Sequence, residues 1–434
     1  MVRIHPPLFF WVVESRVYEI MIINSDLHIH SLYSAATSPR MDLPTLAKEA
    51  SKKGIQLLGT GDCLHPKWLR AIKGLELEPG HDDGIFVHGA TNFVLTVEVE
   101  DVRRVHHLLI LPSIAKAEEL YEAFKRYSQD IDSDGRPSVR LTGAEIAEYA
   151  KDAEALIGPC HAFTPWTALY AYYNSLRECY GEMVDYISFI ELGLSADTSY
   201  ADRIEELHRL TFLTNSDAHS PYPIRLAREF NRFEVSDLSF EELKAAIERR
   251  RGRKPVLNVG VPPAEGKYNE SACIRCYRHY SLTEAIARHW RCECGGMIKK
   301  GVRDRVNELA DCNSGIHPPH RPPYLHLIPL AEIISLAIRK SVNSKSVVGI
   351  WESLLAEFGT EVNVLVDVPI DELQKVAPGV VGAIKAFREG NIHVKPGGGG
   401  KYGIISLDSG MNEEAQRPCR GQLSLADLTN TNLY

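Results

Sequence analysis

The sequence predicts an α/β fold: a barrel of strand–helix units, followed by a small cysteine-rich module and a helical C-terminal domain. Three observations support this prediction. From residue 21 to about residue 258, short apolar runs alternate with helix-like segments, which is typical of a strand–helix repeat. Many of these runs end in His, Asp or Glu, and functional side chains converge at the strand ends of an α/β barrel. Four clustered cysteines then precede a region of helical periodicity beyond residue 305.

Length and composition indicate a multidomain globular protein. The chain has 434 residues, more than one hydrophobic core usually supports, so we expect two or three domains. Its 44% hydrophobic and 24% charged residues are ordinary for that class. The nine cysteines are scattered except for four at 273–294, which argues against the disulfide framework of a secreted protein. We therefore expect a cytoplasmic protein without a membrane partner.

Residues 1–20 are expected to be an N-terminal extension. Residues 8–13 are apolar but far too short to cross a bilayer, and no cleavage pattern follows them. Met21 stands directly at the first strand-like run, which favours Met21 as the true start.

Charge is unevenly distributed along the chain. The formal net charge is −8, yet residues 249–345 contain 18 lysines and arginines against 8 acidic residues. A basic segment beside an acidic, metal-binding one favours a polyanionic substrate over a small neutral one. A merely solvated basic surface is the alternative.

The barrel is expected to span residues 21–258. Its first helix should begin at the capping residue Asp42, with Pro44 in the first turn, and end at Gly54. Further helices are predicted at 115–128, 142–153, 200–210 and 239–251. The strand-like runs are 21–24, 56–60, 93–97, 108–111, 156–158, 187–190 and 210–213.

The ends of these runs carry a ring of metal-ligating residue types. His28 and His30 occupy alternate positions at a strand end, so they point to the same side and can share one ion. Glu98 is the candidate bridging ligand, because a carboxylate has two oxygens. Of the adjacent His106 and His107, His107 is favoured because the apolar run begins immediately after it. The other candidates in the ring are Asp62, His65, His161, Glu191, Asp217 and His219.

This ligand set suits Zn²⁺, Mn²⁺ or Fe²⁺, and a cluster of two or three such ions is suited to phosphoester hydrolysis. One ion lowers the pKa of a bound water, and another neutralises the charge on the phosphate and on the departing oxygen. The sequence contains no Ser-His-Asp arrangement and no glycine-rich dinucleotide fingerprint that would favour another chemistry.

The order and spacing of these residues resemble the PHP family of metallohydrolases over about residues 22–250. The resemblance implies a distorted (βα)7 barrel with a trinuclear site, and catalytic roles for Asp217, His219 and Glu98. It implies three ligand sets: His28, His30, Glu98 and Asp217; then Glu98, His107 and His161; and a third that includes His219. Two departures affect the third ion. Tyr33–Ala36 lacks the family's early third histidine, and its Thr-Asp-His motif is altered at Thr60–Cys63, so Asp62 and the displaced His65 are secondary candidates.

Residues 259–305 are predicted to form a zinc-binding module. Two short cysteine pairs, the second followed by two glycines, are typical of a ribbon-type structural zinc site that closes around the ion. Basic residues around the module could contact DNA phosphates. The zinc ligands are Cys273, Cys276, Cys292 and Cys294, and the DNA-contacting candidates are Arg275, Arg278, Lys299 and Lys300.

The C-terminal domain is expected to span residues 306–407, with helical patterning at 331–359 and 371–388. A glycine-rich segment between Lys395 and Lys401 could hold a phosphate through exposed amides, and a flexible turn is the alternative. Residues 408–434 are expected to be a disordered tail. Within that tail, Gln422, Leu425 and Leu428 approximate the motif that binds the sliding clamp (PCNA); an inert tail is the alternative.

The succession of barrel, four-cysteine module, Arg321–Tyr324 and glycine-rich loop resembles the endonuclease Q family from Met21 to about residue 407. That resemblance implies an archaeal or occasionally bacterial DNA-repair endonuclease that cuts 5′ to deaminated bases (hypoxanthine, uracil, xanthine) or abasic sites. Zinc is expected in the module and in the barrel, with Mg²⁺ or Mn²⁺ as possible catalytic ions. Candidate base-stacking aromatics are Trp68, Trp166, Tyr170 and Tyr172.

Two other functions stay open on the sequence. One is a phosphatase or exonuclease that uses the same barrel on undamaged substrates. The other is a DNA-binding protein that has lost catalysis, because the early histidine is absent and the Thr-Asp-His motif is altered.

Overall fold

The structure is a computed structural model that describes residues 20–77 and 84–407. The predicted N-terminal extension, apart from residue 20, and the predicted tail with Gln422, Leu425 and Leu428 lie outside the described residues. The strands are β1 (Met21–Asp26), β2 (Leu57–Gly59), β3 (Glu76–Leu77), β4 (Ile85–His88), β5 (Thr91–Glu100), β6 (His106–Leu111), β7 (Leu156–Pro159), β8 (Phe189–Glu191), β9 (Thr211–Leu213), β10 (Phe230–Val235), β11 (Lys254–Gly260), β12 (Ala272–Cys273), β13 (Ile298–Lys299), β14 (Tyr324–His326), β15 (His393–Lys395) and β16 (Ile404–Ser406).

The helices lie between these strands and, after β14, form a group of their own. They are α1 (Leu43–Lys53), α2 (Pro66–Ile72), α3 (Ile114–Lys125), α4 (Gly143–Asp152), α5 (Leu169–Tyr172), α6 (Leu176–Tyr180), α7 (Thr198–Ala201), α8 (Phe240–Ile247), α9 (Leu282–Ala287), α10 (Val302–Leu309), α11 (Leu330–Ile338), α12 (Lys345–Phe358), α13 (Ile370–Val376) and α14 (Pro378–Arg388). No helix in the described part of the chain is long and apolar enough to cross a bilayer.

The principal sheet is mixed and curls into a distorted barrel, which confirms the predicted α/β class. Strands β1, β2 and β5 are parallel neighbours. Strand β6 runs antiparallel to β5 and to β7, and β10 runs antiparallel to β1 and to β11. Strands β8 and β9 form a separate parallel pair beside β7. The reversal at β6 brings the start of that strand to the same rim as the end of β5, so one rim receives side chains from most of the strands.

The first helix shows how local signals fix an element. The Asp42 carboxylate accepts from the Thr45 amide at 2.9 Å, and Pro44 stands in the first turn. Gly54 ends the helix with φ +89, and a Cβ there would lie 2.6 Å from Thr360 Oγ1. Glycine is therefore required both by the backbone and by the approach of the C-terminal domain.

The predicted helix over 200–210 is wrong. That region contains the end of α7 and one 3₁₀ turn at Glu205–Leu207. The buried Asp202 carboxylate accepts two hydrogen bonds from Arg321 Nε and one from its Nη2, while His317 Nδ1 lies 2.7 Å away. These long-range contacts, which the local sequence does not encode, hold the segment in its turn.

The C-terminal helices pack against the barrel and share its hydrophobic core. Lys53 and Glu361 form a buried ion pair at 2.6 Å across this contact, and Trp351 Nε1 donates to Glu361 at 2.8 Å. Both predicted helical stretches are divided in two. Arg339 in the left-handed conformation ends α11, and Pro378 separates α13 from α14.

Candidate active site

The two His- and Asp-containing motifs at the ends of β1 and β9 lie side by side. The His30 amide donates to the Ala218 carbonyl at 3.0 Å, and the Asp217 amide donates to the His28 carbonyl at 2.9 Å. These two backbone hydrogen bonds join segments almost two hundred residues apart in the chain. They bring His28, His30 and Asp217 to one rim of the barrel.

The first ligand group consists of His28, His30, Glu98 and Asp217. His30 Nε2 lies 3.2 Å from Asp217 Oδ1 and 3.3 Å from Glu98 Oε2. His28 Nε2 lies 3.8 Å from Asp217 Oδ1 and 3.7 Å from Glu98 Oε1. Four donors placed tetrahedrally at about 2.1 Å from one ion would be about 3.4 Å apart. The spacing therefore fits a metal ion between these atoms.

Buried atoms without hydrogen-bond partners also indicate a metal ion between these residues. His28 Nε2, His30 Nε2 and Asp217 Oδ1 are buried, and none has a hydrogen-bond partner among the residues that the structure describes. Burying a polar atom without a partner costs about 1–3 kcal/mol. Three such atoms facing one another are explained by a shared ion.

Glu98 extends the site toward a second group. Its Oε1 lies 2.7 Å from His106 Nδ1 and 3.0 Å from His161 Nε2, and these two nitrogens are 3.4 Å apart. Glu98 thus faces both groups with its two oxygens. The residues present can hold two ions at this rim.

The structure corrects the choice between the two adjacent histidines: His106, not His107, faces the cluster. Strand β6 pairs with β5 so that His106 is opposite Glu100, which lies two positions from Glu98 and on the same face of the sheet. His107 points to the other face, where its Nδ1 lies 2.8 Å from the Tyr180 hydroxyl and its Nε2 lies 3.4 Å from Asp101.

Two carboxylates contact the imidazoles of His28 and His30 at their Nδ1 atoms, on the side away from the cluster. Glu191 Oε2 lies 2.8 Å from His28 Nδ1, and Asp62 Oδ1 lies 3.1 Å from His30 Nδ1. Each fixes the ring so that Nε2 faces the cluster, as outer carboxylates do in metal sites. Asp62 also accepts from the Ser31 amide at 2.6 Å and from Ser34 Oγ at 2.9 Å, so the structure gives it an orienting position rather than a ligating one.

The remaining predicted ligands lie at the margin. His219 packs against His30 with ring centroids 4.4 Å apart, and its Nδ1 lies 3.0 Å from the Asp217 carbonyl oxygen. His65 stacks on Tyr33 at 4.3 Å and belongs to none of the described groups whose ligand atoms converge. The position predicted for a third ion is therefore less complete than the other two.

Electrostatics keep the carboxylates of the site ionised. Burial opposes ionisation of Glu98, yet the imidazoles of His106 and His161 outweigh it and hold the pKa of Glu98 well below its usual range. Burial likewise opposes ionisation of Asp217, and the facing His219 and His30 still lower its pKa. Both carboxylates are therefore available as anionic ligands at neutral pH.

Backbone strain is concentrated at the same rim. Asp62, His161 and Asp217 have φ values of +48, +28 and +47, which non-glycine residues rarely adopt. Gly193 permits the conformation of His161, because a Cβ on Gly193 would lie 2.7 Å from His161 Cβ. Strained residues persist where the surroundings hold them for function.

The four cysteines of the module converge as predicted. Cys273 and Cys294 Sγ atoms are 3.5 Å apart, as are those of Cys276 and Cys292, and all four lie within 4.8 Å of one another. Thiolates around a tetrahedral zinc ion, each about 2.3 Å from it, are about 3.8 Å apart. The set fits a closed structural site, which leaves no position for a substrate.

The basic residues of the module differ in what they contact. Arg278 is paired with Glu293, Lys300 with Glu308, and Arg275 donates to the Cys294 carbonyl. Lys299 Nζ donates to the Pro165 carbonyl and lies 3.4 Å from the centre of the Trp166 ring. Lys299 therefore connects the module to a barrel loop.

The glycine-rich loop does not offer the exposed amides of a phosphate cradle. The amides of Gly397, Gly400 and Gly403 donate to carbonyls of residues 264–267 at 2.8–2.9 Å. A Cβ on Gly399 would lie 2.4 Å from the Cys273 carbonyl oxygen. These glycines let the loop pack against the linker and the cysteine module, while Lys395 and Lys401 remain exposed.

Two of the predicted base-stacking aromatics are core residues. Trp68 and Tyr170 are 2% and 1% exposed; the Trp68 indole donates to the Thr60 and Gly61 carbonyls, and the Tyr170 hydroxyl donates to Glu206. Trp166 and Tyr172, at 39% and 42% exposed, remain accessible.

Sequence comparisons match one domain family and two curated proteins. The family described as "MJ0043 C-terminal domain" matches residues 329–391, which contain helices α11–α14. "Uncharacterized protein MJ0043" of Methanocaldococcus jannaschii is 48% identical over 253 residues, which cover 57% of this chain and only 31% of that protein. "Uncharacterized protein YqxK" of Bacillus subtilis is 32% identical over 409 residues, covering 88% of this chain and 99% of that one.

Two solved structures are similar throughout. The lesion-specific endonuclease PfuEndoQ of Pyrococcus furiosus is 50% identical with a TM-score of 0.86, and the match covers 90% of this chain and 96% of that one. An endonuclease Q in complex with a 27-mer duplex, with an abasic lesion at its active site, is 50% identical with a TM-score of 0.85. That match covers 90% of this chain and 97% of the other.

Proposed function

Because this chain belongs to the endonuclease Q family of DNA endonucleases, we propose that it cuts DNA at lesions, hydrolysing the phosphodiester 5′ to a deaminated base (hypoxanthine, uracil or xanthine) or an abasic site. The observation that carries the proposal is the convergence of His28, His30 and Asp217 around unpartnered buried atoms, with Glu98 leading to a second group. Such a pair of metal groups is suited to phosphodiester hydrolysis.

The residues of the site have separable roles in this reaction. Metal ions held there would supply an activated water and would neutralise charge on the phosphate. Glu191 and Asp62 fix the two imidazoles, so the ligands need little rearrangement. His219 lies at the edge of the cluster with its Nδ1 3.0 Å from the Asp217 carbonyl oxygen, so Nε2 is the ring nitrogen at which it could accept a proton.

The metals follow from the donor atoms. Four thiolates favour zinc in the module, where its role is to fold and position. The barrel site mixes imidazoles with carboxylates, which suits Zn²⁺ or Mn²⁺, and Mg²⁺ is a third possibility for catalysis. Metal analysis of the purified protein distinguishes these ions.

DNA contacts are proposed at the junction of barrel and module, along an aromatic–lysine surface formed by Trp166, Tyr268, Tyr402, Lys267 and Lys299. Trp166 and Tyr268 are 6.0 Å apart between ring centroids, and Lys299 lies over Trp166. Lys267 lies 5.5 Å from the Tyr268 ring and 5.9 Å from the Tyr402 ring. Aromatic faces interleaved with cations bind unpaired bases and their phosphates. The other DNA-contact candidates are Arg275, Arg278, Lys395 and Lys401, which are exposed, and Lys300, which is half-buried.

A cleavage assay tests the proposed function directly. End-labelled duplexes that differ only by one deoxyinosine, one deoxyuridine, one abasic site or an undamaged base are incubated with Mg²⁺ or Mn²⁺. We expect one cut immediately 5′ of each lesion and an intact control duplex. Digestion from the ends would indicate an exonuclease, and binding without cutting would indicate a degenerate site; either result overturns the proposal.

A second proposal concerns the tail: Gln422, Leu425 and Leu428 bind the archaeal sliding clamp. The support is the spacing of these residues, which approximates the Gln-x-x-aliphatic-x-x-aromatic motif of clamp-binding peptides, with Leu428 at the aromatic position. Full-length protein should bind the clamp at least about tenfold more tightly than a chain ending at residue 420. The matched variant is Gln422→Ala, and equal affinity of all three proteins would refute the proposal.

A further inference from the structure

A short segment, residues 130–139, crosses the rim of the metal cluster and is here called the strap. It is fastened on two sides. The Gly135 amide donates to the Tyr33 carbonyl at 3.1 Å, and Asp134 accepts from the Ala35 amide at 3.3 Å. On the other side, the Glu100 amide donates to the Pro137 carbonyl at 3.0 Å, and the Val139 amide donates to the Glu100 carbonyl at 2.9 Å. The strap is thereby tied to the loop after β1 and to the end of β5.

Gly135 sets how closely the strap approaches the site. A Cβ at this position would lie 2.3 Å from Asp62 Oδ2 and 2.6 Å from Ser34 Oγ. Any other residue would push the strap away from the carboxylate that orients His30. Glycine therefore lets the strap approach closely enough for the following residue, Arg136, to contact Glu98.

Arg136 stands between the buried ligands and solvent. Its Nη1 donates to Glu98 Oε2 at 3.4 Å, where the Glu98 side chain is 1% exposed and that of Arg136 is 31% exposed. The guanidinium is thus within reach both of the cluster and of a molecule that enters it. No metal-ligand role is available to it, because a guanidinium has only donors.

The donors of Arg136 are largely unused. A guanidinium has five N–H donors, and in the described part of the chain only Glu98 accepts a hydrogen bond from this one. By comparison, Arg388 donates to three carbonyls, and Arg321 donates to Asp202 and to two carbonyls. Those arginines complete the fold, whereas Arg136 keeps a planar fork of donors at the opening of the site.

We propose that Arg136 binds the scissile phosphate, with its guanidinium donating to a non-bridging oxygen. Glu98 would then act as a ligand to the metal ions. This inference rests on the proposed phosphodiester hydrolysis and adds the residue that recognises the reacting group. A planar guanidinium matches a phosphate with two parallel hydrogen bonds, which a lysine ammonium cannot reproduce. Charge fixed beside the developing negative charge of the transition state stabilises that state more than the ground state.

The test uses three variants of the full-length protein: Arg136→Ala, Arg136→Lys and the matched control Arg140→Ala. Arg140 follows four residues later, directly after the strap, and is exposed, so its variant removes the same charge from a neighbouring position. The single-turnover rate of cutting an abasic-site duplex should fall about 10²- to 10³-fold in both Arg136 variants. In the control, the rate should stay within about twofold of that of the unsubstituted protein. Metal content should be unchanged in all three proteins.

A binding measurement separates phosphate contact from a structural role. In the Asp217→Asn background, affinity is compared for duplexes with an ordinary or a neutral methylphosphonate linkage 5′ of the lesion. When Arg136 is present, the duplex with the neutral linkage should bind about tenfold or more weakly than the ordinary duplex. In Arg136→Ala, the two duplexes should bind with equal affinity. Equal losses in both backgrounds, or Arg136→Ala activity equal to that of Arg140→Ala, would overturn the inference. Absence of lesion cutting by the unsubstituted protein would instead overturn the proposed function.

Discussion

Glu98→Gln should reduce single-turnover cutting by about 10³-fold or more while leaving the fold intact. Glu98 faces both ligand groups, and the amide keeps the shape of the side chain but removes the charge and one acceptor oxygen. Losing a carboxylate that faces both groups would remove several kcal/mol of transition-state stabilisation, and each 1.4 kcal/mol corresponds to a tenfold change in rate. Cutting rate, metal content and thermal unfolding are measured on the same preparation.

Asp217→Ala should lose cutting to a similar extent, because it removes the oxygen that lies 3.2 Å from His30 Nε2. Retained cutting in purified Glu98→Gln or Asp217→Ala would contradict the assignment of the site. Reduced cutting together with a lowered melting temperature would indicate packing damage instead. The isosteric Asp217→Asn serves to separate those outcomes, since it preserves side-chain volume.

The adjacent histidines provide a matched control for the same prediction. His106→Asn should lose bound metal and activity, because His106 faces Glu98 and His161. His107→Asn should retain metal, and its effect should be on stability through the lost contact with Tyr180. If His107→Asn lost its metal while His106→Asn kept it, His107 rather than His106 would be the metal ligand.

That pair also shows what local sequence can and cannot predict. His28, His30 and Asp217 were identifiable because each follows an apolar run, and strand ends converge at one rim. The choice between His106 and His107 depends instead on the register of β6 against β5, which alternates the two side chains between opposite faces. The apolar run after His107 does not indicate which residue of β5 each histidine faces.

Residues that act through others were the hardest to assign from sequence. Asp62 was predicted as a ligand, but its distances place it behind His30, where it orients the ring. Arg136 was missed because the strap has no apolar periodicity and its contacts are long-range. The one local signal was the Asp134-Gly135-Arg136 sequence, in which a glycine precedes an arginine in a polar segment.

The cysteine module has a small hydrophobic core, so we expect its folding to depend on a metal ion held by the four thiolates. Its separate buried cluster contains only Cys273, Tyr280, Ala285, Cys292 and Ile298. Such a cluster supplies a few kcal/mol at most after the loss of conformational entropy. Structural zinc contributes about 10–16 kcal/mol in small peptides of this kind. The stability of the module should therefore depend on the four thiolates.

Cys292→Ser should release one zinc ion per chain and expose the module to proteolysis between residues 270 and 300. Cys292 Sγ lies 3.5 Å from Cys276 Sγ and accepts from the Tyr280 hydroxyl at 3.1 Å, so its loss opens both the metal site and the small core. DNA affinity should fall at least about tenfold, because Lys299 and its contact with Trp166 depend on the position of the module. Zinc content, limited proteolysis and fluorescence anisotropy measure the three effects.

The control is Cys312→Ser, which changes a cysteine outside the module. Cys312 Sγ contacts the Ser314 carbonyl at 3.1 Å, and a hydroxyl can keep that hydrogen bond. This variant should retain zinc, protease resistance and affinity. If Cys292→Ser cut DNA more slowly while its zinc content, stability and DNA affinity matched the control, the module would have a catalytic role. A closed four-thiolate site predicts that Cys292→Ser loses stability and DNA affinity, and that its cutting rate falls only because DNA is bound less well.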